Sequence, residues 1–331
     1  MSSNTDRESK SRSSMKVLLK KYFPFVFALI IFGYIFNALF ENIDQLRDFE
    51  FDFDFSLLAA GMLVLSLHYI IQGIISFLFA KKLKIKISFL KCWAFWMYSQ
   101  LGKYIPGKIW IAASRAYLYK KEDLASVKKI SFQFILEQAF STISVAIICV
   151  SSLFFINFKV FEEYYIWFIL MITAFLVFFH PSIFFRLLNY ALSIAKRDRI
   201  EGFTFKYHEV FLILMLEIMS WIPVGISFYL IINSIASIAP ANIIYIIAIV
   251  SFSFIVGFFA IFLPAGLGVR DVILWRALIE YLIESVSIIV TLVFRLAITI
   301  CELLLVLFTK ILIERWLLRE RIDFRKNELK E

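Results

Sequence analysis

Apolar residues do not alternate with polar ones along this chain. They run together for about twenty residues at a time, the length a helix needs to cross hydrocarbon. Uninterrupted runs occupy 22–40, 56–80, 130–156, 164–180, 210–232 and 286–309, which predicts six full transmembrane helices. Barrel strands would alternate over short segments, and lipid admits only helices or closed barrels as spanning structures. The expected fold is therefore an all-α integral membrane protein.

Two further apolar stretches, 88–113 and 242–284, are interrupted. The first breaks at Gly102-Lys103-Tyr104-Ile105-Pro106-Gly107-Lys108, the second at Leu263-Pro264-Ala265-Gly266-Leu267-Gly268-Val269-Arg270. Proline withholds a backbone donor and clashes with the preceding turn, while glycine tolerates the sharp backbone a break requires. Each stretch is read as a pair of re-entrant or short helices.

Charge sets the orientation. Most of the 35 Lys and Arg residues fall in the N-terminal segment, in 81–91, in 114–129, in 181–209 and beyond 310. The loop 41–55 is instead acidic, with Glu41, Asp44, Asp48, Glu50, Asp52 and Asp54. The positive-inside rule places the basic segments and both termini in the cytoplasm. Both flanks of 88–113 are then cytoplasmic, so that stretch enters and returns on the same side. By the same bookkeeping 242–284 begins and ends outside, as a shallow hairpin or as two nearly full crossings.

The order span, span, broken pair, span occurs twice. Pro106 and Pro264 are 158 residues apart, and the same shift carries 130–156 onto 288–314 and 56–80 onto 214–238. The first half starts inside and the second outside, which makes the expected repeat inverted. Residues 1–21 read as a disordered cytoplasmic tail without a cleavable signal peptide. Residues 22–315 read as one membrane domain with halves 22–157 and 164–310, and 316–331 as a second cytoplasmic tail.

Composition agrees with this picture: 61% of residues are hydrophobic, 18% are charged, and the mean hydropathy is +0.83. The net charge of +9 is a matter of loop topology and does not point to nucleic acid. Cys92, Cys149 and Cys301 lie singly in apolar runs, a pattern for neither disulfides nor a metal site. Trp93, Trp96 and Trp110 flank the first break and are expected at the membrane interface.

Candidate chemistry resides in polar groups at membrane depth. Inverted repeats with broken helices mark transport sites near the bilayer midplane. Freed N–H groups and neighbouring cations at a break suit an anion such as a phosphate. Lys103, Lys108, Arg115 and Arg270 flank the two breaks. The plainer reading is that these side chains snorkel to lipid phosphates generically. Glu137, Arg295 and Glu302 lie within spans, where ionisable groups are costly. The 158-residue shift places Glu137 on Arg295, so an acid and a base in equivalent positions are expected to pair across the two halves, as a structural or gating lock or in contact with substrate. Glu217, near Pro223, is a further candidate, and His68 with Gln72 shares one helix face.

These residues carry a resemblance. Gly102-Lys103-Tyr104-Ile105-Pro106-Gly107-Lys108-Ile109-Trp110, followed by Arg115, resembles the first signature of the lysylphosphatidylglycerol synthase transmembrane region family. Leu263-Pro264-Ala265-Gly266-Leu267-Gly268-Val269-Arg270-Asp271 resembles its second, with Asp271 where glutamate is usual. The resemblance covers about 20–315. It implies lipid translocation or handling, with Pro106, Gly107, Arg115, Pro264, Gly266, Gly268 and Arg270 carried over as signature residues. The soluble synthase domain of some members is not expected here, because the sequence ends shortly after its last span.

The function expected is a flippase-like protein that moves or handles a phosphate-bearing lipid, an anionic phospholipid or a polyprenyl-phosphate-linked one. Enzymes of lipid or glycan biosynthesis are expected partners, and no cofactor, metal or catalytic residue is expected. No G-x-x-x-x-G-K-S/T string occurs, so no P-loop drive is expected. Two alternatives stand beside it. One is a polyprenyl-phosphate-dependent membrane glycosyltransferase, for which Asp52 and Asp54 have the spacing of a metal-binding pair. The other is a non-transporting component of envelope glycan or lipid biosynthesis.

Overall fold

The computed structural model describes residues 53–105, 109–156, 205–260, 263 and 266–328, with Arg186, Tyr190 and Ser193 in addition. The described residues form eight α-helices: α1 (Phe55–Lys82), α2 (Phe89–Gln100), α3 (Ile109–Lys121), α4 (Val127–Ile156), α5 (Tyr207–Asn233), α6 (Ile243–Phe259), α7 (Val269–Leu278) and α8 (Glu284–Glu328). Four of the predicted spans appear within a few residues of their expected limits as α1, α4, α5 and the first part of α8. The spans at 22–40 and 164–180 lie outside the described residues. Five helical segments are long and apolar enough to cross a membrane: Phe55–Lys82, Val127–Ser152, Tyr207–Asn233, Pro240–Phe258 and Glu284–Arg315. α8 continues as helix to Glu328, through the segment expected to be a tail.

Local chemistry sets the ends. Asp54 caps α1: its carboxylate accepts from the Ser56 and Leu57 N–H groups at 2.8 and 3.1 Å, partnering donors that a helix start leaves orphaned. The side-chain hydrogen bond with Ser56 holds the Asp54 carboxyl below its ordinary range. Pro223 lies inside α5 without ending it.

Both breaks fall where Pro and Gly placed them. α2 runs into a single 3₁₀ turn, Leu101–Tyr104, before α3 begins at Ile109. At 1.5 Å per residue α2 and α3 are each about 20 Å long, short of the ~30 Å of a hydrocarbon core. The second pair is unequal: α6 has the length of a span, and α7, with 10 residues, has not. The second stretch is thus one long helix and one short one, an outcome between the two forms expected.

α1 and α5 share the most extensive interface, at the centre of the fold. Around them α2 packs on α1, α3 and α8, while α6 packs on α5, α7 and α4. α3 packs on α4, and α7 on α8. Glycine makes the closest of these contacts. A Cβ at Gly73 would lie 2.2 Å from the Trp93 ring, and one at Gly225 2.4 Å from Ile247. Trp93 is seated by this approach, donating Nε1–H to the Tyr69 carbonyl at 3.0 Å. Trp93 and Trp96 are therefore core residues, not the interfacial anchors their flanking position suggested; Trp110 is the exposed one.

Candidate functional site

Three ion pairs organise the interior. Arg115 of α3 and Glu137 of α4 are both buried and bonded to one another, and Arg115 Nε also donates to Ser99 Oγ at 3.1 Å. Gln133 donates to the second Glu137 oxygen at 2.9 Å, completing that carboxylate. Asp271 of α7 and Arg295 of α8 form the second pair. Asp271 also accepts the Gly268 N–H at 2.9 Å, closing the start of α7, where Gly268 adopts φ +81°. That conformation suits glycine. Lys103 and Glu302 form the third pair, and Glu302 additionally accepts the Tyr69 and Tyr104 hydroxyls at 2.7 Å each.

This corrects one expectation. Glu137 and Arg295 do not meet across the two halves. Each has a nearer partner on the short helix just before its own: Arg115 on α3 for Glu137, and Asp271 on α7 for Arg295. The two pairs sit on corresponding elements with their charges exchanged.

The described helices enclose a half-open cavity of about 530 Å³. α1 contributes His68, Tyr69 and Gln72; α4 contributes Phe134, Gln138 and Ser141; α5 contributes Trp221. Lys103, Gly266, Arg270 and Glu302 line it as well. A small recess beside it, of about 30 Å³, is walled by Lys103, Arg270, Asp271 and Arg295. Lys103 and Arg270 face both spaces.

Arg270 differs from the other cations. Its guanidinium lies over the Phe254 ring, 3.2 Å from the centroid, and among the described residues it forms no salt bridge. Its Nε is buried without a hydrogen-bond partner. Glycines make the slot that it occupies. A Cβ on Gly257 would fall 2.3 Å from Arg270 Cγ and 2.5 Å from Cδ, and one on Gly266 2.9 Å from Cδ. Gly266 also has φ +66°, a conformation that disfavours larger residues.

Of the residues singled out in the sequence, His68, Gln72, Lys103, Gly266, Arg270 and Glu302 reach the cavity, Arg295 reaches the recess, and Glu217 lines neither. Arg115, Glu137 and Gly268 do not line either; they fix helices. Pro106, Gly107, Lys108 and Pro264 lie outside the described residues, as does Asp52. Asp54, its partner in the possible metal pair, is engaged as a helix cap. Generic snorkelling does not describe Lys103, whose ammonium is held by a buried carboxylate. Sequence reasoning missed Gly257, Phe254, Tyr69 and Tyr104, whose roles arise only from packing. Gly257 sits three residues after Phe254 and is the one glycine in α6, and that was the available signal.

A search of curated proteins finds no match to the chain. Comparison with protein families matches residues 23–305 to the lysylphosphatidylglycerol synthase TM region. With five helical segments fit to cross a membrane and a family match over most of its length, this is a multi-pass membrane protein, and the chain belongs to the lysylphosphatidylglycerol synthase transmembrane region family.

Proposed function

We propose that this protein translocates a phosphate-bearing lipid across the cytoplasmic membrane, with the head group passing through the central cavity and the acyl chains remaining in lipid. Arg270 is the observation that carries the reading. A guanidinium on a cavity wall, stacked on an aromatic ring and without a salt-bridge partner among the described residues, is a positive charge open to an anion. The stack stabilises it by about 1–2 kcal/mol when shielded from water, yet leaves its edge donors for a ligand. A phosphate monoester or diester matches that fork in charge and in geometry.

The family match supports lipid handling in general, and the cavity lining supports a head group as the part that is handled. The lining is mixed, with Trp96, Trp221 and Phe134 beside Gln72, Gln138 and Ser141, as suits a polar group crossing among apolar walls.

The packing supports an inverted-repeat reading. Exchanging α1 with α5, α2 with α6, α3 with α7 and α4 with α8 leaves the set of helix contacts unchanged: α2 on α8 becomes α6 on α4, and α1 on α4 becomes α5 on α8. The charge-exchanged pairs obey the same rule. Such a repeat supplies two alternative packings around one site. In this reading α2–α3 re-enter from the cytoplasm, and both termini are cytoplasmic.

The test uses proteoliposomes containing phosphatidylglycerol labelled at its head group and an impermeant quencher. Wild type is expected to expose the inner-leaflet label over time, and R270A to do so at least tenfold more slowly. Equal rates for R270A and wild type would exclude Arg270 as the anion contact. Equal protection in wild-type and empty vesicles, repeated with a polyprenyl-phosphate lipid, would exclude translocation of either cargo.

A further inference from the structure

Glu217 of α5 has no role in the reading above, yet it is the most deeply buried acid among the described residues. The other buried acids have cations: Arg115 for Glu137, Arg295 for Asp271 and Lys103 for Glu302. Glu217 has none. One of its oxygens accepts Gln72 Nε2–H at 2.8 Å, and the other, Oε1, has no partner among the described residues.

Among the described residues, the elements packed on α5 supply no counter-charge to Glu217; Lys82 of α1 is paired with Glu209 at the start of α5. From α1 comes His68, whose Nδ1 lies 2.8 Å from the Ser220 carbonyl and so donates its proton there. From α4 comes Glu137, an acid already bound to Arg115. From α6 comes Tyr245, whose hydroxyl donates to the Ala277 carbonyl. From α8 come Arg295 and Glu302, each held in its own pair. A carboxylate without a cation inside a membrane protein bears nearly the full desolvation cost of its charge; the neutral acid does not.

The site communicates with the cavity. Gln72 lines the cavity, and its amide nitrogen bridges Glu217 and Ser220 Oγ, at 2.8 and 3.0 Å. His68 and Trp221 line the same wall. The chemistry fits a proton better than a metal cation. Gln72 presents a donor nitrogen to the carboxylate, and the Ser220 hydroxyl donates to the Glu217 carbonyl at 2.7 Å, so oxygen ligands are not gathered around an empty centre.

We propose that Glu217 is a proton-binding site that exchanges with the cavity past Gln72, and that it couples lipid movement to a proton gradient. The coupling rests on the transport reading; the proton site does not. Binding and release move one proton between the Glu217 carboxyl and water in the cavity, and occupancy sets the charge of the α1–α5 interface between transport steps.

The experiment has two arms. In the first, proteoliposomes with head-group-labelled phosphatidylglycerol carry an imposed pH difference. One proton per lipid sustains a leaflet asymmetry of up to about tenfold per pH unit. Wild type is expected to build an asymmetry that reverses when the gradient is reversed, whereas E217Q relaxes to an even distribution. In the second, infrared spectra of purified protein are expected to show the carbonyl stretch of a buried carboxylic acid at neutral pH in wild type and not in E217Q. An even distribution in wild type that does translocate, or the same asymmetry in E217Q, overturns coupling. Absence of the carboxylic band in wild type overturns the proton site, even where E217Q proves too unstable to reconstitute. No translocation in wild type of either phosphatidylglycerol or a polyprenyl-phosphate lipid, with the band present, overturns the transport reading, and coupling with it, and leaves the proton site standing.

Discussion

Replacing Gly257 by alanine adds one methyl group to the wall of the cavity, and its effect can be worked from the geometry. The new Cβ would stand 2.3 Å from Arg270 Cγ and 2.5 Å from Cδ, where ordinary contact begins near 3.4 Å. Arg270 must therefore retreat by about 1 Å or change rotamer, because the clash is with the middle of its side chain. Retreat is limited by Gly266, whose own Cα lies 3.7 Å from the added methyl. The guanidinium leaves the Phe254 ring, with loss of about 1–2 kcal/mol of stacking. A misplacement of about 1 Å at a functional group is enough to slow a reaction up to a hundredfold. G257A is expected to slow head-group translocation at least tenfold. In helical backbone Gly→Ala itself favours the helix by up to about 1 kcal/mol, so the melting temperature should change by only a few degrees. The assay is inner-leaflet protection from an impermeant quencher, beside a thermal unfolding curve in detergent. Translocation by G257A at the wild-type rate would refute the claim that the seating of Arg270 controls transport. A large loss of stability would refute the claim that Gly257 serves the site more than the fold.

The Arg115–Glu137 pair gives a separate test. R115L leaves Glu137 buried without a cation and should cost about 3–5 kcal/mol, while R115L with E137L should recover most of it; thermal unfolding of the three proteins decides this, and a double variant no more stable than R115L would contradict it. Lys103, Tyr69 and Tyr104 converge on Glu302, so E302A should destabilise and also slow translocation, whereas Y104F, which loses one hydrogen bond of about 1 kcal/mol, should slow it only slightly; equal defects would contradict the hub role of Glu302. Asp54 titrates below its ordinary range, so its capping contribution is present above the unfolded-state value and lost as pH falls through the folded-state one. D54A should accelerate hydrogen exchange at the Ser56 and Leu57 amides at neutral pH, with the difference from wild type vanishing in acid; a difference that persists in acid would contradict the cap.

The helices were legible because lipid imposes a coarse rule: a run such as 56–80 or 210–232 has few alternatives to a spanning helix. Both breaks were legible because Pro and Gly cluster there with charged residues, as in Leu263-Pro264-Ala265-Gly266-Leu267-Gly268-Val269-Arg270, whereas Pro223 leaves α5 continuous. Partner choice was not legible. Glu137 and Arg295 stand at equivalent positions, and equivalence says nothing about contact; Arg115 and Asp271, on the short helices, are simply nearer. Trp93 reads as an interfacial residue until Gly73 is seen to open a place for it in the core. Arg270 was visible as a cation at a break, but that it has no carboxylate partner among the described residues depends on where three other cations find theirs. The slot at Gly257 needs α6, the turn at Gly266 and α7 together to define it.

The central claim is that a lipid phosphate enters the cavity and meets Arg270. Its most direct test is photo-crosslinking with phosphatidylglycerol that carries a photoreactive group on its head, followed by peptide mapping. The account predicts adducts on cavity residues of α1, α4 and α6, including the peptide that holds Phe254, and their loss in R270A and under excess unlabelled lipid. Adducts confined to the outer faces of α1 and α8, at Leu63 or Leu304 and their neighbours, and unchanged by R270A, would contradict it.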